Sequence, residues 1–263
     1  MSAASSTSRS MKLADQPAFV LHSYPYSETS LLIEVFTRDH GRVPLIAKGA
    51  KRPHSSWRGV LLAFQPLMLS WSGRGDVKTL TAAEWQGGLP MLGGSALACG
   101  FYCNELLLKL LAREDAHPNL FDSYRSVLEG LVATTPDHAA CLRRFELRLL
   151  SELGYGLSLT HEADGHRAVQ RSSRYHYVFE RGPMPYGAQG DRGYEEMRDH
   201  YPEVSGHTLL SMADETFEDA AVKAEAKTLF RALINRMLDR QPLHSRQLLR
   251  DLQTLDESSG FPS

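Results

Sequence analysis

The apolar positions fall into two regimes along the chain. From Phe19 to Ala83 they come in short runs that alternate with polar residues, the period of a half-buried strand. Phe19, Val20 and Leu21 form one run. Ser30–Thr37 forms a second, with Leu31, Ile33 and Val35 against Leu32, Glu34 and Phe36. Arg42–Lys48 is a third, with Val43, Leu45 and Ala47 on one face; Pro66–Trp71 and Val77–Ala83 complete the set. Turn-rich stretches separate them: Ser23–Ser27, Asp39-His40-Gly41 and Ser72–Asp76. Five short strands joined by hairpin turns predict a small closed barrel rather than an open sheet, because closure removes exposed edges. The five-stranded OB barrel is the expected form, over residues 16–88.

After Gly87-Gly88-Leu89-Pro90 the period becomes helical. A helix is predicted over Ser95–Arg113 with Ser95 as N-cap, and Pro118 closes the following loop. Further helices are expected over Phe121–Val132 and from Asp137, as N-cap, to Leu153, where Gly154-Tyr155-Gly156 ends it. Leu157–Gly193 has no regular pattern beyond a strand-like Arg174–Glu180. Helices return over Asp219–Leu238 and Ser245–Leu252. The fold class is therefore α+β: a barrel, then a mainly α-helical domain over 89–255 with an irregular insertion around 157–215. Tails at 1–15 and 256–263 read as disordered; the Ser-rich Met1–Ser10 has no apolar segment of the signal-peptide kind.

Composition adds little until it is divided. At 42% hydrophobic and 23% charged, the chain of 263 residues is ordinary for a globular protein. Its net charge of −2 argues against a wholly basic nucleic-acid coat protein. Residues 1–88, however, hold 10 Lys or Arg against 6 Asp or Glu, and the remainder 19 against 25. A basic front and an acidic rear suggest different partners. Cys99, Cys103 and Cys141 lack the spacing of a disulfide framework or a thiolate zinc site, and read as buried helix residues. No apolar run reaches the roughly 18 residues of a membrane span.

The basic charge concentrates between Arg38 and Arg58, where Arg38, Arg42, Lys48, Lys51, Arg52 and Arg58 face one acid, Asp39. A strand carries the first part; Gly49 then frees the backbone to turn. A flexible cationic loop holding an aromatic, Trp57, suits a phosphate backbone with bases stacked beside it. On the residues alone, a solvated hairpin loop guarding a sheet edge is the other open reading, since basic loops are common. Gly73-Arg74-Gly75 is half a phosphate loop by pattern but opens no helix, so it reads as a hairpin turn. His161, His166 and His176 match no metal-ligand spacing. Arg143 and Arg144 beside Leu142 and Phe145 would suit an acidic peptide ending in an apolar residue, or simply a core helix with solvated arginines. No G-x-S-x-G, HExxH or P-loop occurs, and nothing calls for an enzyme.

Several runs carry a family resemblance: Phe19–His22, Tyr26–Leu31, Val35–Thr37, Gly41–Val43, Leu45–Ala50, Gly73–Gly75 with Val77–Leu80, Asn104–Leu107, Leu142–Glu146 and Leu153–Gly156, with Pro242–Arg246 near the end. Together they resemble the bacterial RecO family of DNA repair and recombination mediators, in its zinc-less variant. Many relatives carry four zinc-binding cysteines just after the position of Gly154–Gly156; here Leu157–Gly165 has none, so no metal and no cofactor is expected. The resemblance implies an OB barrel and a helical domain. It implies binding of single- and double-stranded DNA, strand annealing, and help in loading recombinase onto strands coated by single-strand-binding protein. The implied partners are RecR and the C-terminal tail of single-strand-binding protein, in the bacterial cytoplasm at the nucleoid.

The expected DNA-binding residues are Lys48, Lys51, Arg52 and Arg58 with Trp57 as a stacking ring, and in second rank Arg38, Arg42, Arg74 and Lys78. Leu142, Arg143, Arg144 and Phe145 are the expected partner site. An RNA-binding OB protein and a protein-docking scaffold are the alternatives.

Overall fold

The computed structural model describes residues 12–185, 201–239 and 241–248. Most of both expected tails and the end of the last expected helix lie outside them. The chain divides into two compact units, Met1–Gly93 with Asn104–Asp122, and Gly94–Cys103 with Ser123–Ser263.

The first unit holds strands β1 (Lys12–Pro25), β2 (Leu31–Thr37), β3 (Gly41–Ala47), β4 (Leu67–Ser72) and β5 (Lys78–Trp85). They close into a barrel in the order β1-β2-β3-β5-β4, with β1 pairing back onto β4. Only the β3–β5 pair is parallel. Alternation does what the pattern predicts: Val20, Ile33, Val35, Val43, Leu45, Leu67, Leu69, Trp71 and Leu80 share one buried cluster. Strand β1 is much longer than its apolar run. Its polar first half pairs with β4 and its second half with β2, so backbone pairing makes a strand where no side-chain pattern announces one. Phe19 and Phe36 are buried as well, and Phe121 packs on both, with ring centroids 5.4 and 5.5 Å away. Asn104 Nδ2 donates to the Leu21 carbonyl at 2.8 Å. These strands are thus covered on both faces, which is why they read as near-continuous apolar runs.

Residues 111–115 are tied to β3. Arg113 bridges to Arg42, and Glu114 N donates to the Arg42 carbonyl at 3.0 Å. Gly41 has φ +62°, and a Cβ there would run into the Asp115 carbonyl, so both the turn and the close approach require glycine.

The second unit holds the start of α1 (Gly94–Leu110), most of α2 (Pro118–Leu131), α3 (His138–Glu152), α4 (Gly206–Ala213) and α5 (Ala220–Met237). Ser95 does not cap α1; Gly93 occupies that position without a side-chain bond. Pro118 opens α2 rather than closing a loop, in keeping with a residue whose missing N–H is an orphan at a first turn anyway. Asp137 caps α3, accepting from Ala140 N at 2.9 Å, and Gly154 follows the helix at φ +82°. The expected irregular insertion is more ordered than its pattern. Strands β6 (Arg174–Val178), β7 (Gly182–Pro185) and β8 (Glu203–Ser205) form a sheet ordered β7-β6-β8, and α4 follows directly. A three-residue strand and a Gly-Pro-Met-Pro strand are too short for periodicity to reveal. Among the described residues, no helix is long and apolar enough to cross a membrane.

Candidate nucleic-acid interface

From His40 to Gly75 the chain contains no Asp or Glu. Within that span, residues 48–61 do not form the loose loop expected from sequence. Arg52 N donates to Gly49 O at 3.1 Å, Ser55 N to Arg52 O at 3.1 Å, and Arg58 N to Ser55 O at 3.3 Å. Val60 N and Leu61 N then both donate to Trp57 O. Gly49, at φ +75°, lets the first of these turns form. The result is a run of successive turns that holds its side chains on a defined backbone.

Two anchors fix this run. Trp57 is half-buried and packs on the barrel core, with Nε1 donating to the Lys48 carbonyl at 3.2 Å. It fastens the turns, so the ring expected to stack on bases is held against the barrel with part of its surface exposed. Lys51 N donates to Thr29 O, and Lys51 Nζ donates to Ser27 O, both at 2.9 Å, so this lysine ties the run to the β1–β2 turn. Lys48, Arg52 and Arg58 are exposed, and among the described residues no acid stands against them.

The second-rank cations differ. Arg42 is mostly buried and pairs through Nη1 with Glu34 Oε2 at 3.4 Å, while Nη2 donates to the Leu111 carbonyl at 3.1 Å. Arg113 holds the other oxygen of the same buried Glu34. Lys78 is only 6% exposed and is paired with Glu114. Arg42 and Lys78, expected on a DNA surface, are thus engaged with carboxylates in the barrel unit. Arg38 is exposed but lies against Asp122 at 3.3 Å and Asp39 at 3.6 Å; Asp122 holds its guanidinium pKa above the ordinary value. Arg74 lies exposed in the β4–β5 turn.

Helix α3 revises the expected partner site. Phe145 is completely buried, and Leu142 and Arg143 nearly so. Arg143 Nη2 donates to Glu146 Oε1 at 2.9 Å, and the Tyr102 hydroxyl donates to the same oxygen. Burial pushes the Glu146 carboxyl pKa up, against the opposing pull of Arg143 and the Tyr102 hydroxyl. A buried, engaged guanidinium is not available to an incoming carboxylate. Of the four expected residues only Arg144 faces solvent, where Nε donates to the Glu215 carbonyl at 3.3 Å. The sequence did hold a signal for this, since Glu146 lies three residues after Arg143, the spacing of an intrahelical pair.

Comparison with known proteins decides the family. The description Recombination protein O N terminal matches residues 11–88, and Recombination protein O C terminal matches residues 92–247. The chain belongs to the RecO family. It is 53% identical over 248 residues to the DNA repair protein RecO of Aromatoleum aromaticum, covering 94% of this chain and 100% of that protein. It is 50% identical to that of an Azoarcus species, over 93% of this chain and 98% of the relative. To the Burkholderia lata protein it is 50% identical, over 96% of this chain and 87% of the relative. Membership in this family of DNA repair proteins covers both compact units.

Proposed function

We infer that this RecO-family chain binds single- and double-stranded DNA through the turns at 48–58, and acts as a mediator rather than a catalyst. The observation that supports it is the set of three exposed cations, Lys48, Arg52 and Arg58, which no acid among the described residues pairs, on an acid-free and hydrogen-bonded backbone. Cations so held neutralise phosphates without reading bases. Weak, sequence-independent contact of this kind is what strand annealing needs, since two strands must shift register before they lock. We extend the proposal to annealing and to help in loading recombinase onto strands coated by single-strand-binding protein; membership in a family of DNA repair proteins supports this reading. We propose RecR and the tail of single-strand-binding protein as partners on the same ground and assign neither to a residue, because of the four expected α3 residues only Arg144 is exposed.

The test is anisotropy of labelled single- and double-stranded DNA with the full-length protein across a salt series, for the parent and for Lys48→Gln/Arg52→Gln/Arg58→Gln. The expected result is steep salt dependence in the parent and a shallower slope in the variant. Equal slopes would remove these turns from the DNA site. Preference for RNA in direct competition would favour an RNA-binding reading, and salt-insensitive binding a protein scaffold.

A further inference from the structure

The cationic turns are joined to a feature that the phosphate reading leaves unused. Strand β1 ends at Pro25, flanked by Tyr24 and Tyr26, which are 44% and 59% exposed. Single exposed aromatics are common on protein surfaces and need no explanation. This pair is different in how it is held. Pro25 fixes one backbone angle between the two rings. Tyr26 N and Ser27 N both donate to the Ser30 carbonyl, at 3.1 and 3.4 Å, and Ser27 Oγ accepts from Ser30 N at 3.2 Å. Lys51 then fastens the turn from the other side through Thr29 O and Ser27 O. The Tyr24 ring is also backed by His22, with ring centroids 4.3 Å apart. One exposed ring thus stands at the end of β1, where Tyr24 pairs with Leu32, and the other on the braced turn that follows, whose brace is itself part of the cationic run.

We propose that Tyr24 and Tyr26 form a stacking site for unpaired bases, and that this site adds to the binding of single strands but not of duplex. The proposal rests on the DNA-binding reading of residues 48–58. Its chemistry is separate from that reading. Phosphates are present in every strand, whereas a base face is open only where the strand is unpaired, so the rings add to single-strand binding alone. Stacking is tolerant of sequence because every base has a π-face. In OB barrels generally, the β1–β2 connection is one of the loops that meets oligonucleotides, and the Tyr26–Ser30 turn is that connection here. Glu28, exposed in the same turn, opposes phosphate approach at this point, which suits a place where bases rather than the backbone make contact.

The experiment uses full-length protein and three labelled probes of equal length: a poly-dT strand, an abasic strand with the same phosphates, and a duplex. The parent should favour poly-dT over the abasic strand. Tyr24→Ala/Tyr26→Ala should weaken poly-dT binding by about tenfold or more while leaving abasic and duplex affinity unchanged. Tyr24→Phe/Tyr26→Phe should restore the poly-dT affinity, because the ring and not the hydroxyl stacks. An equal fall on all three probes, or no fall on poly-dT, overturns the proposal. The variant Lys48→Gln/Arg52→Gln/Arg58→Gln separates the two readings. If it weakens all three probes while the tyrosine variant changes nothing, only the stacking site fails. If it weakens none while the tyrosine variant loses poly-dT alone, the cationic turns fail and the rings stand.

Discussion

Strand β3 carries cations at both ends, and the two ends treat them differently. At the Gly41 end, Arg42 is drawn in against Glu34, which Arg113 also holds; Lys78 on β5, opposite Leu45, meets Glu114, whose N–H donates to the Arg42 carbonyl. Just past the Ala47 end, Lys48 opens a run in which Arg52 and Arg58 stand in solvent with no acid opposite. The residue types are the same; the difference lies in which acids the fold brings near. A cation beside a buried carboxylate is part of the structure, and its removal leaves an uncompensated charge. A cation on an acid-free, hydrogen-bonded turn is available to a polyanion at little cost to the fold. Basic residues therefore cannot be counted toward a DNA surface until their partners are known.

The comparison can be broken first at its structural end. Glu34→Leu leaves Arg42 mostly buried and facing Arg113 without the carboxylate between them. It should lower stability by about 3 kcal/mol, read by chemical denaturation, while the salt slope of DNA binding in the folded protein stays as in the parent. A change in slope would mean that Arg42 also meets DNA. Trp57→Ala probes the fastening of the free end. Loss of the ring from the core edge and of its bond to the Lys48 carbonyl should cost about 2 kcal/mol. DNA affinity should fall by only about threefold, since the phosphate-binding cations remain; a loss confined to single strands would return the stacking role to this ring. The smallest effect sharpens the comparison. Arg38 is exposed but held by Asp122 at 3.3 Å and by Asp39 at 3.6 Å, so Asp122→Asn removes the closer of its two acids and loosens an engaged cation. Affinity should rise by about twofold to threefold at low salt, and no rise would place Arg38 away from the strand's path.

The barrel was legible from β2 to β5 because their apolar positions alternate, and those residues fill one interior. The first half of β1 was not, since Lys12–Gln16 is a strand only by virtue of its pairing with β4. The site was legible in part. The acid-free stretch that carries Lys48, Arg52 and Arg58 is visible in the chain. What separated them from Arg42 and Lys78 was not, because Arg113 and Glu114 lie far along the sequence and reach β3 only through the fold. Trp57 looked like a stacking ring because sequence shows an aromatic among cations but not which way it packs. Tyr24 and Tyr26 looked like turn filler for the complementary reason: nothing in the order of residues says that Lys51 ties their turn to the cationic run. Helix α3 is the opposite case, where the Arg143–Glu146 spacing was in plain view and an apolar neighbourhood drew attention to docking instead.

The most direct test is the salt dependence of single-stranded DNA binding by the parent and by Lys48→Gln/Arg52→Gln/Arg58→Gln, with unfolding measured on both. Three released phosphate contacts should reduce the slope of log affinity against log salt by roughly 2 to 3, with stability unchanged within about 0.5 kcal/mol. An unchanged slope in a protein of unchanged stability would contradict the claim that the free end of β3 is where this chain meets DNA.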